Sequence, residues 1–438
     1  MKVTTEPREN RQLALSIEVD PERVEAALTK AAKSIAHKAN IPGFRKGKAP
    51  RHVVERIFGK SALIEEALDE LGQQVYREAL DQAQIEPYGP GQLEHVQSEP
   101  LVLKMIVSLP PEVELGDYRS LRVPFEAPAV SEGEIDHQIE HIRKRHAMIE
   151  PAPDGTAADW SQMVTLDIQA SVEGKSFLDR NDAGVVLDKE PLDGSAPILP
   201  GFEELIIGMK PGDEKTFSLP VPEDANYGEF ANKTAKFKVI LKDVRLRTLP
   251  GADDALAQTV GDFETIDELR DAIRQDLADA KRREAEAAYV DRVVDQLLET
   301  AQIEFPPLMV EQELDAALER ADNLLREQKL NLEDYLKALG KTRDEYRAER
   351  RPAAEARIRR SLLLSRIVEL ERLSVDPSEV DGEIETISAA TEQRAGDVRD
   401  SLSGDVSQRR LELELLTRKA LDRLVSIARG EAPAEPAQ

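Results

Sequence analysis

The apolar residues of this chain change rhythm twice, and that constrains its fold more than any single motif does. Residues 11–19, RQLALSIEV, alternate apolar and polar, which predicts a strand with Leu13, Leu15, Ile17 and Val19 on one face. Asp20-Pro21-Glu22 then supplies an N-cap and a first-turn proline for a helix to about Lys38. A short helix over 51–57 and a longer one over 61–84 follow, the second spacing Leu63, Ala67, Leu71, Val75 and Leu80 along one face. Residues 92–111 read as two strands turning at Ser98–Pro100. From Ser161 to Val244 the pattern shortens to β-type runs cut by glycine and proline, with one short helix near Phe202–Ile206. From Asp253 to Ala428 long helical stripes take over, one of them Val290, Val293, Val294, Leu297 and Leu298, broken by Pro306-Pro307.

At 438 residues the chain is too long for one core. Three textures in series imply a multidomain α+β protein: an α+β module, a β-rich module and an extended all-α module. The expected divisions are 1–112, a linker over 113–150, 151–248, 249–430, and a disordered tail over 431–438. The linker contains a helix at 132–147 that opens at the capping-box spacing Ser131–Glu134 and packs on the last module.

Charge narrows the function classes. Asp and Glu number 85 against 59 Lys and Arg, for a net charge of −26, while aromatics are only 4% of residues. This balance suits long solvated helices and argues against wholesale coating by nucleic acid or membrane. The absence of cysteine excludes disulfides, thiolate metal sites and cysteine nucleophiles. His137 and His141 stand i, i+4, but Glu140 and Arg143 around them fit a solvated helix face, so no metal or other cofactor is expected. The first residues carry no apolar run of signal-peptide length and no stretch of about 18 apolar residues occurs, so the chain reads as cytoplasmic with no membrane contact. The arginine-rich run over 347–360 is interleaved with Glu349 and Glu355 and reads as ion-paired helix surface.

Against this acidic background, Lys38, Arg45, Lys46, Lys48, Arg51, Arg56 and Lys60 face the single acid Glu55 within residues 38–60. Gly43 and Gly47 let the backbone turn, Pro42 and Pro50 stiffen the ends, and Arg45, Lys46 and Lys48 are displayed together beside Phe44. Such a tip can neutralise phosphates while the phenyl ring stacks or inserts. The segment lacks the Gly-x4-Gly-Lys-Ser/Thr spacing of a nucleotide-phosphate loop.

GFRKGKAP, Gly43 to Pro50, resembles the Gly-Phe-Arg-x-Gly-x-x-Pro signature of the trigger factor family, bacterial chaperones that dock at the ribosomal exit tunnel; all five fixed positions match. The resemblance extends along the whole chain. It implies an ATP-independent chaperone, partly ribosome-bound, whose Gly43, Phe44, Arg45, Lys46, Gly47, Lys48 and Pro50 contact ribosomal RNA and protein of the large subunit. Its clients would be nascent unfolded polypeptides, held by loosely packed helical arms; whether free molecules pair is left open.

The β-rich segment resembles FKBP-type prolyl isomerases, in which EGKSF, APILPGFEELIIGMKPGD, DANYG and AKFKVIL would supply Phe177, Ile198, Leu199, Phe202, Tyr227 and Phe237 to an apolar pocket. The chemistry needs no nucleophile. The X–Pro rotation barrier is ~18–20 kcal/mol and each ~1.4 kcal/mol removed is a tenfold gain, so desolvating the amide is itself catalytic. Ile168 and Leu178 depart from the family pattern and thin the aromatic wall. An alternative reading is a free-standing prolyl isomerase whose helical arms recruit substrate; a third, an RNA-binding protein, sits poorly with the net charge.

Overall fold

The computed structural model describes residues 1–189, 198–223, 225–391 and 404–431. The chain divides into two compact units, Met1–Phe125 with Ala287–Gln438, and Glu126–Glu286. Each is built around its own apolar clusters.

The first unit begins with a four-stranded antiparallel sheet in the order β1-β2-β4-β3, formed by β1 (Lys2–Arg8), β2 (Gln12–Glu18), β3 (Gln92–Ser98) and β4 (Leu101–Ser108). Between β2 and β3 run helices α1 (Pro21–Lys38) and α2 (Arg51–Ala83). Leu15, Ile17, Val19, Leu103 and Val107 join Leu28, Ala31 and Ile35 of α1, and Leu63, Leu71 and Val75 of α2, in one core. The two helices expected over 51–84 are continuous apart from Gly59, whose φ of 84° and ψ of 159° break the helix where the sequence separates them. Strand β1 is absent from the sequence reading. It is an edge strand with one apolar residue besides Pro7, and it is almost wholly exposed, so it carries no burial pattern to detect.

After β4 the segment expected to be a linker is built into the helical core. Strand β5 (Glu112–Glu114) is followed by the buried Leu115 and Val123. The second unit starts with α3 (Glu132–Arg145), whose capping box at Ser131 and Glu134 forms as expected. Its sheet comprises β6 (Met148–Pro151), β7 (Met163–Val172), β8 (Lys175–Val186), β9 (Glu214–Pro220) and β10 (Thr234–Thr248). The long β10 pairs with β7 along one edge and with β9 and β6 along the other, and β8 closes on β7. The short helix α4 (Phe202–Ile206) falls where the sequence places it and contributes Phe202 and Ile206 to the sheet's core. Helix α5 (Asp254–Val260) and the beginning of α6 (Ile266–Thr300) supply Leu256, Ile273 and Leu277 to a small cluster with Ile135 and Ile139 of α3.

The remaining helical elements belong to the first unit. They are the rest of α6, β11 (Gln302–Glu304), α7 (Pro307–Glu327), α8 (Leu332–Leu339), α9 (Arg343–Leu370), α10 (Pro377–Thr391) and α11 (Asp405–Arg429). Strand β11 pairs antiparallel with β5, setting Ile303 opposite Val113. Tyr289, Val293 and Leu297 of α6, Leu363 and Ile367 of α9, and Leu424 of α11 enclose Leu115 and Val123. The expected stripe on α6 is therefore core. The buried Tyr289 hydroxyl donates to the Val123 carbonyl at 2.8 Å. The arginine-rich run on α9 is ion-paired, but mainly with neighbouring helices: Arg347 and Arg351 reach Glu311, Arg357 reaches Glu313 and Arg360 reaches Asp291, while Glu349 pairs with Lys341. The expected tail lies outside the described residues beyond Glu431.

One carboxylate ties these parts together. Glu371, only 4% exposed, accepts hydrogen bonds from the Tyr118 hydroxyl at 2.6 Å, Arg119 at 2.6 Å and Arg423 at 2.8 Å. Burial pushes its pKa up, but the bonds from Tyr118, Arg423 and Arg119 outweigh burial and hold it below the usual carboxylate range. A depressed pKa contributes stability that is present above the unfolded value of about 4.3 and is lost as pH falls through the folded value. Glu371→Ala, which strands two arginines, is expected to cost about 3–5 kcal/mol by urea denaturation at pH 7. The gap from wild type should narrow as pH drops below about 4.

Candidate docking loop and aromatic pocket

Helix α1 ends at Ala39, whose extended backbone lets the chain leave while its N–H still donates to Ile35 O. The loop is then pinned at both ends by buried residues, Ile41 and Ala49. Between them the Phe44 N–H donates to Ile41 O at 3.1 Å, the Gly47 N–H to Ala36 O at 2.8 Å, and the Lys48 N–H to Arg45 O at 2.9 Å. Gly43 and Gly47 both adopt left-handed backbone, φ 85° and 75°. The outcome is a fixed hook with Phe44 40% exposed and Arg45, Lys46 and Lys48 in solvent.

The seven cations gathered by the sequence are not equivalent. Lys38 pairs with Glu66 at 2.6 Å, Arg51 with Glu25, and Lys60 with Glu99. Arg45, Lys46, Lys48 and Arg56 make no ion pair among the described residues. The positive charge left over for a partner is therefore concentrated on the hook, with Arg56 one helical step away on α2. Ile57 and Phe58, also exposed, add apolar surface on the same helix.

In the second unit, the six residues expected to form an apolar pocket belong to one core cluster. Gly201, at φ 82°, turns the chain into α4 and delivers Phe202. The Phe202 ring centroid lies 5.4 Å from that of Phe237. Phe177 on β8 stands 6.5 Å from Phe237 and 6.3 Å from Tyr227. Phe202, Leu199 and Phe237 are completely buried and would form the floor of an apolar pocket, whereas Phe177, Ile198 and Tyr227 are partly exposed and would form its rim. Ile168, at 0% exposure, would join the floor, and Leu178 is partly buried.

Three aromatics of the cluster, Trp160, Phe217 and Phe230, escaped the sequence reading. Phe217 on β9 is the cross-strand partner of Phe237, with rings stacked at 5.5 Å, and lies 5.7 Å from Phe202. Phe230 packs edge-on against Phe177 at 5.4 Å. The alternation in EKTFSLP signals that Phe217 points inward with Leu219, but no local pattern marks Phe230. Both thicken the aromatic wall that Ile168 thins. His137 and His141 have ring centroids 4.4 Å apart, and among the described residues no group of three or more His, Asp or Glu is arranged to hold a metal. No described helix is long and apolar enough to cross a membrane.

A hook of cations without ion pairs, a curled sheet around an aromatic cluster, and long ion-paired helices define a multidomain α+β protein with an exposed basic loop. Residues 1–142 match the family model of bacterial trigger factor protein, and 265–426 match the model of its C-terminus. The trigger factor of Carboxydothermus hydrogenoformans is 35% identical over 98% of this chain and 100% of its own length. That of Moorella thermoacetica is 33% identical over 99% and 96%. A solved structure of the trigger factor chaperone, described for promiscuous substrate recognition in folding and assembly, aligns over 97% of this chain and 99% of its own, with a TM-score of 0.56 at 22% identity, a likeness of fold. The chain belongs to the trigger factor family of ribosome-associated chaperones.

Proposed function

We propose that this chain docks at the nascent-chain exit of the large ribosomal subunit through Gly43–Pro50, holds emerging unfolded segments on its helical arms without ATP, and isomerises X–Pro bonds in the aromatic pocket. The observation that carries this reading is the placement of unpaired charge. In a chain of net charge −26, Arg45, Lys46 and Lys48 are left without ion pairs on the hook while Lys38, Arg51 and Lys60 are neutralised internally. Three adjacent cations beside an exposed phenyl ring suit a phosphate backbone with a nearby apolar contact. The acidic remainder keeps the rest of the molecule off RNA, which confines contact to the hook.

On this reading 1–112 docks, 151–248 isomerises and 249–430 holds clients, while 113–150 connects them and lends its first residues to the arm core. Support for the pocket is its composition. Floor residues exclude water and rim residues are reachable, which is what desolvating a prolyl amide requires. Support for the arms is an exposed apolar patch, with Leu324 on α7, Leu330, and Tyr335 and Leu339 on α8 all more than a third exposed. The core cluster beneath it contains only Leu318, Leu332, Leu336 and Tyr346 with Leu325 at its margin, so the patch is surface left over from a small core. Weak, unspecific apolar contact is suited to holding and releasing many clients.

Alanine at Phe44, Arg45 and Lys46 together is expected to abolish co-sedimentation with ribosomes while leaving the melting curve unchanged. For the wild type, raising salt fourfold should weaken binding roughly ten- to forty-fold, as release of counterions from two or three phosphates dictates. Unaltered co-sedimentation of the triple variant at physiological salt contradicts the reading. In the pocket, Phe202→Ala is expected to destabilise the β-rich unit by about 3–5 kcal/mol, because the ring is completely buried. Phe177→Ala, at the rim, should instead lower kcat/KM for a proline peptide by about tenfold with a smaller change in melting. Equal rates for wild type and Phe177→Ala, measured by protease-coupled kinetics, would remove the pocket from the proposal. Serine at Leu324, Leu330 and Leu339 should raise the chaperone-to-client ratio for half-suppression of aggregation about threefold, the loss of under ~1 kcal/mol of apolar burial.

A further inference from the structure

The docking hook has a support that the signature does not contain. His37 lies in the last turn of α1, two residues before the helix ends at Ala39. Its ring fills the space beside Gly47: a Cβ built there would meet His37 Nε2 at 2.3 Å, Cε1 at 2.4 Å and Cδ2 at 2.7 Å. At Gly43, the other left-handed glycine of the loop, a Cβ would meet nothing within 4 Å. Two glycines of like conformation thus answer to different constraints, Gly43 to backbone torsion alone and Gly47 to torsion and a side chain pressed against it.

We propose that His37 is the positioning residue of the docking hook: its imidazole is the seat on which the Gly47 turn rests, and it fixes the direction in which Arg45, Lys46 and Lys48 project. The proposal rests on the docking role of the hook. The reason is geometric. The Gly47 N–H bond to Ala36 O at 2.8 Å fastens the turn to the end of α1, but one hydrogen bond leaves it free to rock about that bond. Contact with a planar ring one residue along the same helix removes that freedom. His37 itself is exposed and makes no hydrogen bond or ion pair with the described residues, so packing on Gly47 is what the structure shows it doing. Lys33, one turn earlier on α1, stands on the same helical face as His37, so the face that seats the hook also carries an exposed cation toward a bound polyanion.

The consequence is an entropic contribution to docking. A hook ordered before it meets the ribosome does not lose that backbone freedom on binding, and the freedom of one residue corresponds to roughly a five- to thirty-fold change in affinity. The test uses the full chain and salt-washed large ribosomal subunits. His37→Ala is expected to weaken binding by about fivefold with an unchanged salt slope, since no phosphate contact is removed. His37→Gln and His37→Phe, which keep a flat group against Gly47, should restore binding to within about twofold of wild type, whatever their effect on net charge. Gly47→Ala should be strongly impaired alone and measurably less so when combined with His37→Ala, because the smaller neighbour makes room for the Cβ. Wild-type affinity for His37→Ala, or additive effects of the two substitutions, overturns the proposal. Weak binding by His37→Phe as well as His37→Ala also overturns it and makes the imidazole a direct contact. Failure of the wild type itself to bind refutes the docking reading instead.

Discussion

The buried Glu371 carboxylate is the point on which the first unit depends. A charge with 4% exposure is tolerable only because three donors converge on it, and those donors come from two distant parts of the chain. Tyr118 and Arg119 belong to a single 3-10 turn, Tyr118–Ser120, after the N-terminal sheet, and Arg423 belongs to the last described helix. Removing any one element would leave the carboxylate without part of its compensation. The same segment runs on to Val123, whose N–H donates to Ala428 O at 3.2 Å while its carbonyl accepts from Tyr289. Phe125 then closes the site by packing edge-on to Tyr289, with Arg429 stacked over both rings. Val113, Leu115, Tyr118, Leu121, Val123 and Phe125 of this stretch also join the arm core, so apolar packing and polar bonds together anchor the docking module to the arms.

This explains what the sequence could and could not show. Hydrophobic period announces a strand such as β2, where Leu15 and Ile17 are buried as their alternation requires, and it announces α2, where the stripe from Leu63 to Leu80 is core. Gly59 and the turn into Phe202 are legible because backbone conformation there demands particular residues. Residues 112–125 defeat the method although Leu121, Val123 and Phe125 alternate, because the helices they pack on lie far along the chain and the bonds to Glu371 span about 250 positions. The edge strand β1 defeats it for the opposite reason, having almost nothing to bury.

The candidate sites divide in the same way. The hook could be read from its own charge and glycines, whereas the six clustered residues were reached through the resemblance to FKBP-type prolyl isomerases. Phe217 was half-legible through its alternation, whereas Phe230 enters the cluster only through the three-dimensional path of the chain. Free and neutralised cations could not be told apart at all. Lys38 and Lys46 look alike in one dimension, and only the position of Glu66 on α2 shows that one is occupied and the other available. Net charge over a window overstates a binding patch wherever the partner acid lies elsewhere in sequence.

The clusters also bear on how the functions combine. The core enclosing Leu115 and Val123 draws on residues 113–125 and from 289 onward, with none from the intervening stretch. The sheet's core lies wholly within 152–244, and the cluster of Ile135, Ile139 and Leu256 within 130–277. Helix 132–147 does meet residues beyond 249, as the sequence suggested, but through Leu256 and Ile273, not through the arm core. Among the described residues, each apolar cluster therefore draws on one unit alone. On the proposed reading, a client held by the arms meets the pocket as an intramolecular encounter, which raises its local concentration there.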